Sequence, residues 1–86
     1  MAYSVKLTSH AARQFDSLPT AVKPRIAESL RKLAGDPRPP GCKKRASAWS
    51  LRIGDYLVIY DVNNNAQLVT VYKIGHRRDV YRDLGL

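Results

Sequence analysis

Tyr3, Val5 and Leu7 alternate with Ser4 and Lys6, and a period of two predicts a short half-buried strand. The pattern then changes. Thr8 and Ser9 are N-cap residue types, and Ala12, Phe15 and Leu18 beyond them share one face of a helix that Pro19 ends. Thr20 is placed to cap a second helix, in which Val22, Ile26, Leu30 and Leu33 recur near the 3.6-residue period while Lys23, Arg25, Arg31 and Lys32 fill the other positions. Pro24 is tolerated there because it falls in the first turn, and Gly35 supplies the stop. The two helices form an αα-hairpin.

Residues 35–42 read Gly-Asp-Pro-Arg-Pro-Pro-Gly-Cys, too rich in helix and strand breakers for anything but a loop. Trp49, Leu51 and Ile53 then alternate with Ser50 and Arg52, Gly54-Asp55 marks a turn, and Tyr56 to Tyr60 makes the returning strand of a hairpin. After a second turn at Asn63-Asn64-Asn65, Gln67 to Ile74 is rich in Val, Thr and Tyr and completes a meander. The order β-α-α-β-β-β describes one α+β domain over residues 1–86, its helical hairpin packed on one face of a small, mainly antiparallel sheet and the other face left open. Alternation sends Trp49, Leu51 and Ile53 to the core, so Ser50 and Arg52 belong to the open face. Leu57 joins them, opposite in direction to Tyr56, Val58 and Tyr60.

Charge adds a partner class to this picture. Fifteen Lys and Arg against seven Asp and Glu give a net charge of +8 in 86 residues, which favours polyanions. A core this small disfavours a deep pocket for a large organic cofactor, so none is implied. The apolar runs span a few residues, far short of the ~20 needed for a membrane helix. The N-terminus does not read as a secretory signal, and a cytoplasmic protein without membrane contact is expected. The single cysteine, Cys42, has no Cys or His at metal-site spacing and reads as a reduced thiol.

The basic residues fall in two groups. Arg38, Lys43, Lys44, Arg45 and Arg52 occur with no acid between them, and Lys73, His76, Arg77 and Arg78 follow around the end of the last strand. The two groups bracket the meander and can meet on one side of the sheet. Of the aromatics, Trp49, Tyr60 and Tyr72 are assigned to packing. Tyr81 lies in a polar tail beyond the last strand and is kept for function. No paired carboxylates, Gly-rich phosphate loop, metal-ligand spacing or Ser-His-Asp arrangement is visible. Nucleic-acid cleavage by Arg, Lys, Tyr and His alone suits RNA, whose own 2′-OH can be the nucleophile.

Four segments are more specific: Asp36-Pro37-Arg38-Pro39 before Lys43-Lys44, Leu51-Arg52-Ile53-Gly54-Asp55-Tyr56, Val58-Ile59-Tyr60, and Gly75-His76-Arg77-Arg78-Asp79-Val80-Tyr81-Arg82. Together they resemble the RelE toxins of the RelE/ParE superfamily over nearly the whole chain. The resemblance implies the RelE-like fold and the toxin of a type II toxin–antitoxin pair. Such a toxin enters the ribosomal A site and cleaves mRNA without a metal, and a RelB-like antitoxin neutralises it. It carries catalytic roles onto Arg52, Arg77 and Tyr81, with Lys43, Lys44, Arg45, Lys73, His76 and Arg78 as RNA-binding cations. Arginine stays protonated, so the proton acceptor is sought in Tyr81, then in His76 or Lys44. Two positions depart from the pattern: Ser50 and Leu57 stand where the resemblance implies cations. They imply weakened activity and keep open a non-catalytic antitoxin-binding relative; a ParE-like inhibitor of gyrase, with the basic face as a protein-docking surface, is the other alternative.

Overall fold

The computed structural model describes residues 2–45 and 47–83, with the side chains of Arg45 and Asp83 outside that description. Strand β1 (Ser4–Leu7) leads into helices α1 (Ser9–Asp16) and α2 (Lys23–Gly35). Strands β2 (Lys43–Arg45), β3 (Ala48–Ile53), β4 (Tyr56–Asn63) and β5 (Leu68–His76) follow, and helix α3 (Arg77–Asp83) comes after them. The five strands form one sheet in the order β1-β5-β4-β3-β2. β1 runs parallel to β5 with Ser4 opposite Leu68, and every other pairing is antiparallel.

Both early helices lie on one face of the sheet. Thr8 caps α1 as its type allows, its hydroxyl accepting from the Ala11 N–H at 3.1 Å. The inward residue is Ala11 rather than Ala12, because Ala11, Phe15 and Leu18 fall four and three residues apart. Thr20 does not cap α2. Pro19 instead accepts backbone bonds from Val22 and Lys23, and the helix opens at Lys23 without a side-chain cap. Ile26, Leu30 and Leu33 then bury against Val58, Tyr60, Val69, Val71 and Ile74, with Trp49, Leu51 and Ile53 of β3 completing the core.

Two elements go beyond the expected order. β2 is three cations in a row, so it has no alternation to read. It forms because β3 offers it a ladder, Lys43 opposite Ser50 and Arg45 opposite Ala48, and cations suit an edge strand. α3 occupies the segment that reads in the sequence as a polar tail beyond the last strand, and it partly covers the second face of the sheet.

Tyr72 is the one aromatic that leaves its expected place. Ile59 pairs with Lys73 and Tyr60 with Val71, so Tyr72 is the extra residue of a β-bulge. The residue is 46% exposed. Tyr60, by contrast, is fully buried, and its hydroxyl donates to the Pro37 carbonyl at 2.9 Å. Burial pushes its phenol well above the usual tyrosine range, and the adjacent Cys42 thiol adds to the shift.

The β3–β4 hairpin turns on Gly54 at φ +61°, where an added Cβ would also lie 3.1 Å from the Arg25 guanidinium. Left-handed backbone costs other residues about 1–2 kcal/mol, so Gly54→Ala is expected to lower the urea midpoint accordingly. An unchanged midpoint would show that the turn adapts.

Candidate active site

The second face of the sheet is organised in rows set by the ladder. One row runs Arg52, Leu57, Gly75, and the next runs Lys43, Ser50, Ile59, Lys73. At the β2–β3 end they form the floor of a small concavity of about 120 Å³, lined by Gly41, Lys43, Ser50, Arg52, Leu57 and Tyr81. Residues from the 35–42 loop, three strands and α3 therefore converge, and two are cations.

Arg52 is exposed, and its Nε donates to the Gly54 carbonyl at 2.9 Å. That bond orients the guanidinium and leaves the four Nη hydrogens directed elsewhere, a fork suited to phosphate oxygens. Ser50 is only 4% exposed, and its hydroxyl donates to the Lys43 carbonyl at 3.4 Å. Its polar atom is thus committed to tying β2 to β3. Leu57 is 2% exposed and sits with Ile59 and Val80 in a small apolar cluster separate from the main core.

Tyr81 reaches the concavity from α3. The helix is tied at its start by the Arg77 N–H, which donates to the Asp55 carbonyl at 2.8 Å, and by the Arg78 N–H, which donates to His76 Nδ1 at 3.3 Å. Asp79 and Arg82 pair on its exposed side. Arg77 does not line the concavity. Its spacing of four from Tyr81 nevertheless puts both residues on one side of the helix.

The remaining sequence-predicted residues divide between the two faces. Lys73 stands in the same row as Lys43, and Arg78 is exposed on α3. Arg45 pairs through its backbone with Ala48, and its side chain lies outside the described residues. Lys44 points to the helix-covered face, its Nζ 5.7 Å from the centroid of Trp49, while the Arg38 guanidinium lies 5.4 Å from the same ring. His76 is also on that face, its ring edge-on to Tyr56 at 5.6 Å. Both reserve proton acceptors are thus turned away from Arg52. Lys43 joins Tyr81 as a titratable group inside the concavity. The register of β2, invisible in a run of three cations, is what separates Lys43 from Lys44.

Among the described residues no three His, Cys, Asp or Glu side chains come together as a metal-binding group, and no helix is long and apolar enough to cross a membrane.

Comparison with known proteins places these features in context. A family model, the ParE toxin of type II toxin–antitoxin systems, matches residues 5–81. Toxin RelG of Mycobacterium tuberculosis is 29% identical over 86 residues, covering 95% of this chain and 99% of RelG. The RelE–RelB complex of Pyrococcus horikoshii contains a chain 28% identical, with a TM-score of 0.77 over 90% of this chain and 97% of that one. The isolated RelE toxin of E. coli, 21% identical, shares the fold with a TM-score of 0.78 over 96% of this chain and 95% of its own.

Proposed function

The chain belongs to the ParE toxin family of type II toxin–antitoxin systems, within the RelE/ParE superfamily, and from that premise we propose that it is a metal-independent, ribosome-dependent mRNA endoribonuclease. The observation that carries this reading is the convergence of Arg52, Lys43 and Tyr81 on one concavity of the second sheet face, with Arg77 one helical turn before Tyr81.

The RNA supplies the nucleophile in this reaction. A 2′-OH attacks the adjacent phosphorus, the bond to the 5′-oxygen breaks, and the products are a 2′,3′-cyclic phosphate and a 5′-OH. The protein has to orient the strand, take the 2′-OH proton, return a proton to the leaving oxygen, and stabilise the added charge on the phosphate. Arg52 and Arg77 supply the charge and the bidentate geometry. Tyr81 stacks on a base and exchanges the proton, with Lys43 beside it. The remaining cations, Lys73 and Arg78 on the Arg52 side and Lys44 and Arg45 along the β2 edge, steer the polyanion. A RelB-like antitoxin holds the toxin in check, as the relatives solved in RelE–RelB complexes support.

The test maps mRNA 5′ ends in a bacterial translation extract with and without ribosomes. New ends within codons, formed only when ribosomes are present, are the expected result. Their absence at toxic concentrations would overturn the reading. A second reading, inhibition of gyrase, is favoured by the family model and by Leu57 and Ser50, which leave the concavity with fewer cations. It predicts lost supercoiling activity with intact mRNA.

A further inference from the structure

The concavity depends on a short helix docked against the sheet. α3 has seven residues, well under the ~12–15 an isolated helix needs to persist in water. Its ion pair, Asp79 with Arg82, is exposed, and exposed pairs hold little. Two bonds donated by backbone N–H groups tether its first turn, from Arg77 to the Asp55 carbonyl and from Arg78 to the His76 ring, and Tyr81 lies in the second turn.

Apolar contacts with the sheet reach the second turn. Val80 is 2% exposed and packs with Leu57 and Ile59, and Tyr81 lies against the same cluster. Leu57 occupies the middle of the row Arg52, Leu57, Gly75. On one side of it Gly75 has no side chain, and a Cβ there would stand 3.3 Å from a Val80 methyl, so Val80 can settle close to the sheet. On the other side is Arg52. Successive helix residues are separated by about 100° of rotation, so seating Val80 determines where its neighbour Tyr81 points.

We infer that Leu57 is a positioning residue, which with Val80 and Gly75 seats α3 on the sheet so that Tyr81 shares the concavity with Arg52. Its role in turnover rests on the nuclease reading above, while its role in seating the helix does not. On this account the leucine is the residue that makes the tyrosine usable.

The test pairs a structural readout with a kinetic one. In Leu57→Ala, amide hydrogen exchange of residues 78–82 is expected to accelerate while β3, β4 and β5 remain protected, and the NMR signals of the Tyr81 ring are expected to move towards random-coil positions. Val80→Ala approaches the same seat from the helix side and should do the same if Leu57→Ala folds poorly. Leu57→Met should preserve both signals. Cleavage should fall on the order of 10²-fold in Leu57→Ala, the scale of a misplaced catalytic group, and recover in Leu57→Met. In a Tyr81→Ala background the added Leu57→Ala should cause no further loss, because two residues acting through one effect are not additive. Unchanged exchange and ring signals in both alanine variants would overturn the inference. So would an equal loss of cleavage with and without Tyr81. Absence of cleavage by the unaltered protein would count against the nuclease reading, and the exchange and ring signals would still decide the seat.

Discussion

Arg52→Ala is expected to lower ribosome-dependent cleavage by about 10²–10³-fold, the usual cost of removing one well-placed donor from a developing charge. The fold should survive. Arg52 is exposed and its Nε is tied to the Gly54 carbonyl by one hydrogen bond, so the stability change should stay within about 0.5 kcal/mol, as at other surface sites. Arg77→Ala should lose as much activity with as little disturbance, because its anchor to Asp55 is a backbone N–H that alanine retains. Arg52→Lys should recover only part of the rate, since an ammonium cannot reproduce the planar fork. Cleavage rates from 5′-end mapping, set beside thermal melts of the same variants, give the answer. Full activity in either alanine variant would remove that arginine from the mechanism.

The second large effect concerns stability. Tyr60→Ala removes a fully buried aromatic from the centre of β4, a change that costs about 3–5 kcal/mol in a domain whose whole stability is about 5–15 kcal/mol. Tyr60→Phe isolates the hydroxyl, whose loss leaves the Pro37 carbonyl without its donor, at about 1–3 kcal/mol. The same hydroxyl makes stability depend on alkali. Because the folded phenol titrates above its unfolded value, the folded state holds a proton that the unfolded chain releases near pH ~10. The stabilisation is complete below that pH and declines as pH rises through it, by about 1.4 kcal/mol per unit for one proton. Urea midpoints followed from about pH 9 to 11 should therefore fall more steeply in the native protein than in Tyr60→Phe. Parallel slopes would mean that the hydroxyl titrates normally.

The legible parts of this chain were those where burial writes a period. Val22, Ile26, Leu30 and Leu33 carry the helical repeat, and Trp49, Leu51 and Ile53 the strand repeat, so α2, β3 and the two faces of the meander could be read directly. The direction of Leu57 followed from the same alternation. β2 and α3 could not be found that way. Lys43-Lys44-Arg45 has no apolar position at all, and its strand exists because β3 presents unpaired backbone. α3 buries one side chain, Val80, among the described residues, and one position makes no period. The bulge at Tyr72 shifts the alternation by one, so that Val71 and Ile74 both face the core, and it leaves exposed an aromatic of a kind that strands more often pack inside. For the site this meant that Arg52 was on the expected face, while the separation of Lys43 from Lys44, and of His76 from Tyr81, depended on register and on a helix that tertiary contacts impose.

The parallel pairing of β1 with β5 also has a temporal side. Ser4 meets Leu68, so β1, made before the other described strands, has its one strand partner among the described residues more than sixty residues later. Long-range closure of this kind is slow because the loop entropy is spent before the contact repays it. During translation β1 must wait with its edge unmatched while both helices and three further strands emerge, and α3 can dock only after β5 is in place. The concavity is therefore the last part of the described fold to take shape, because Tyr81 reaches it from α3.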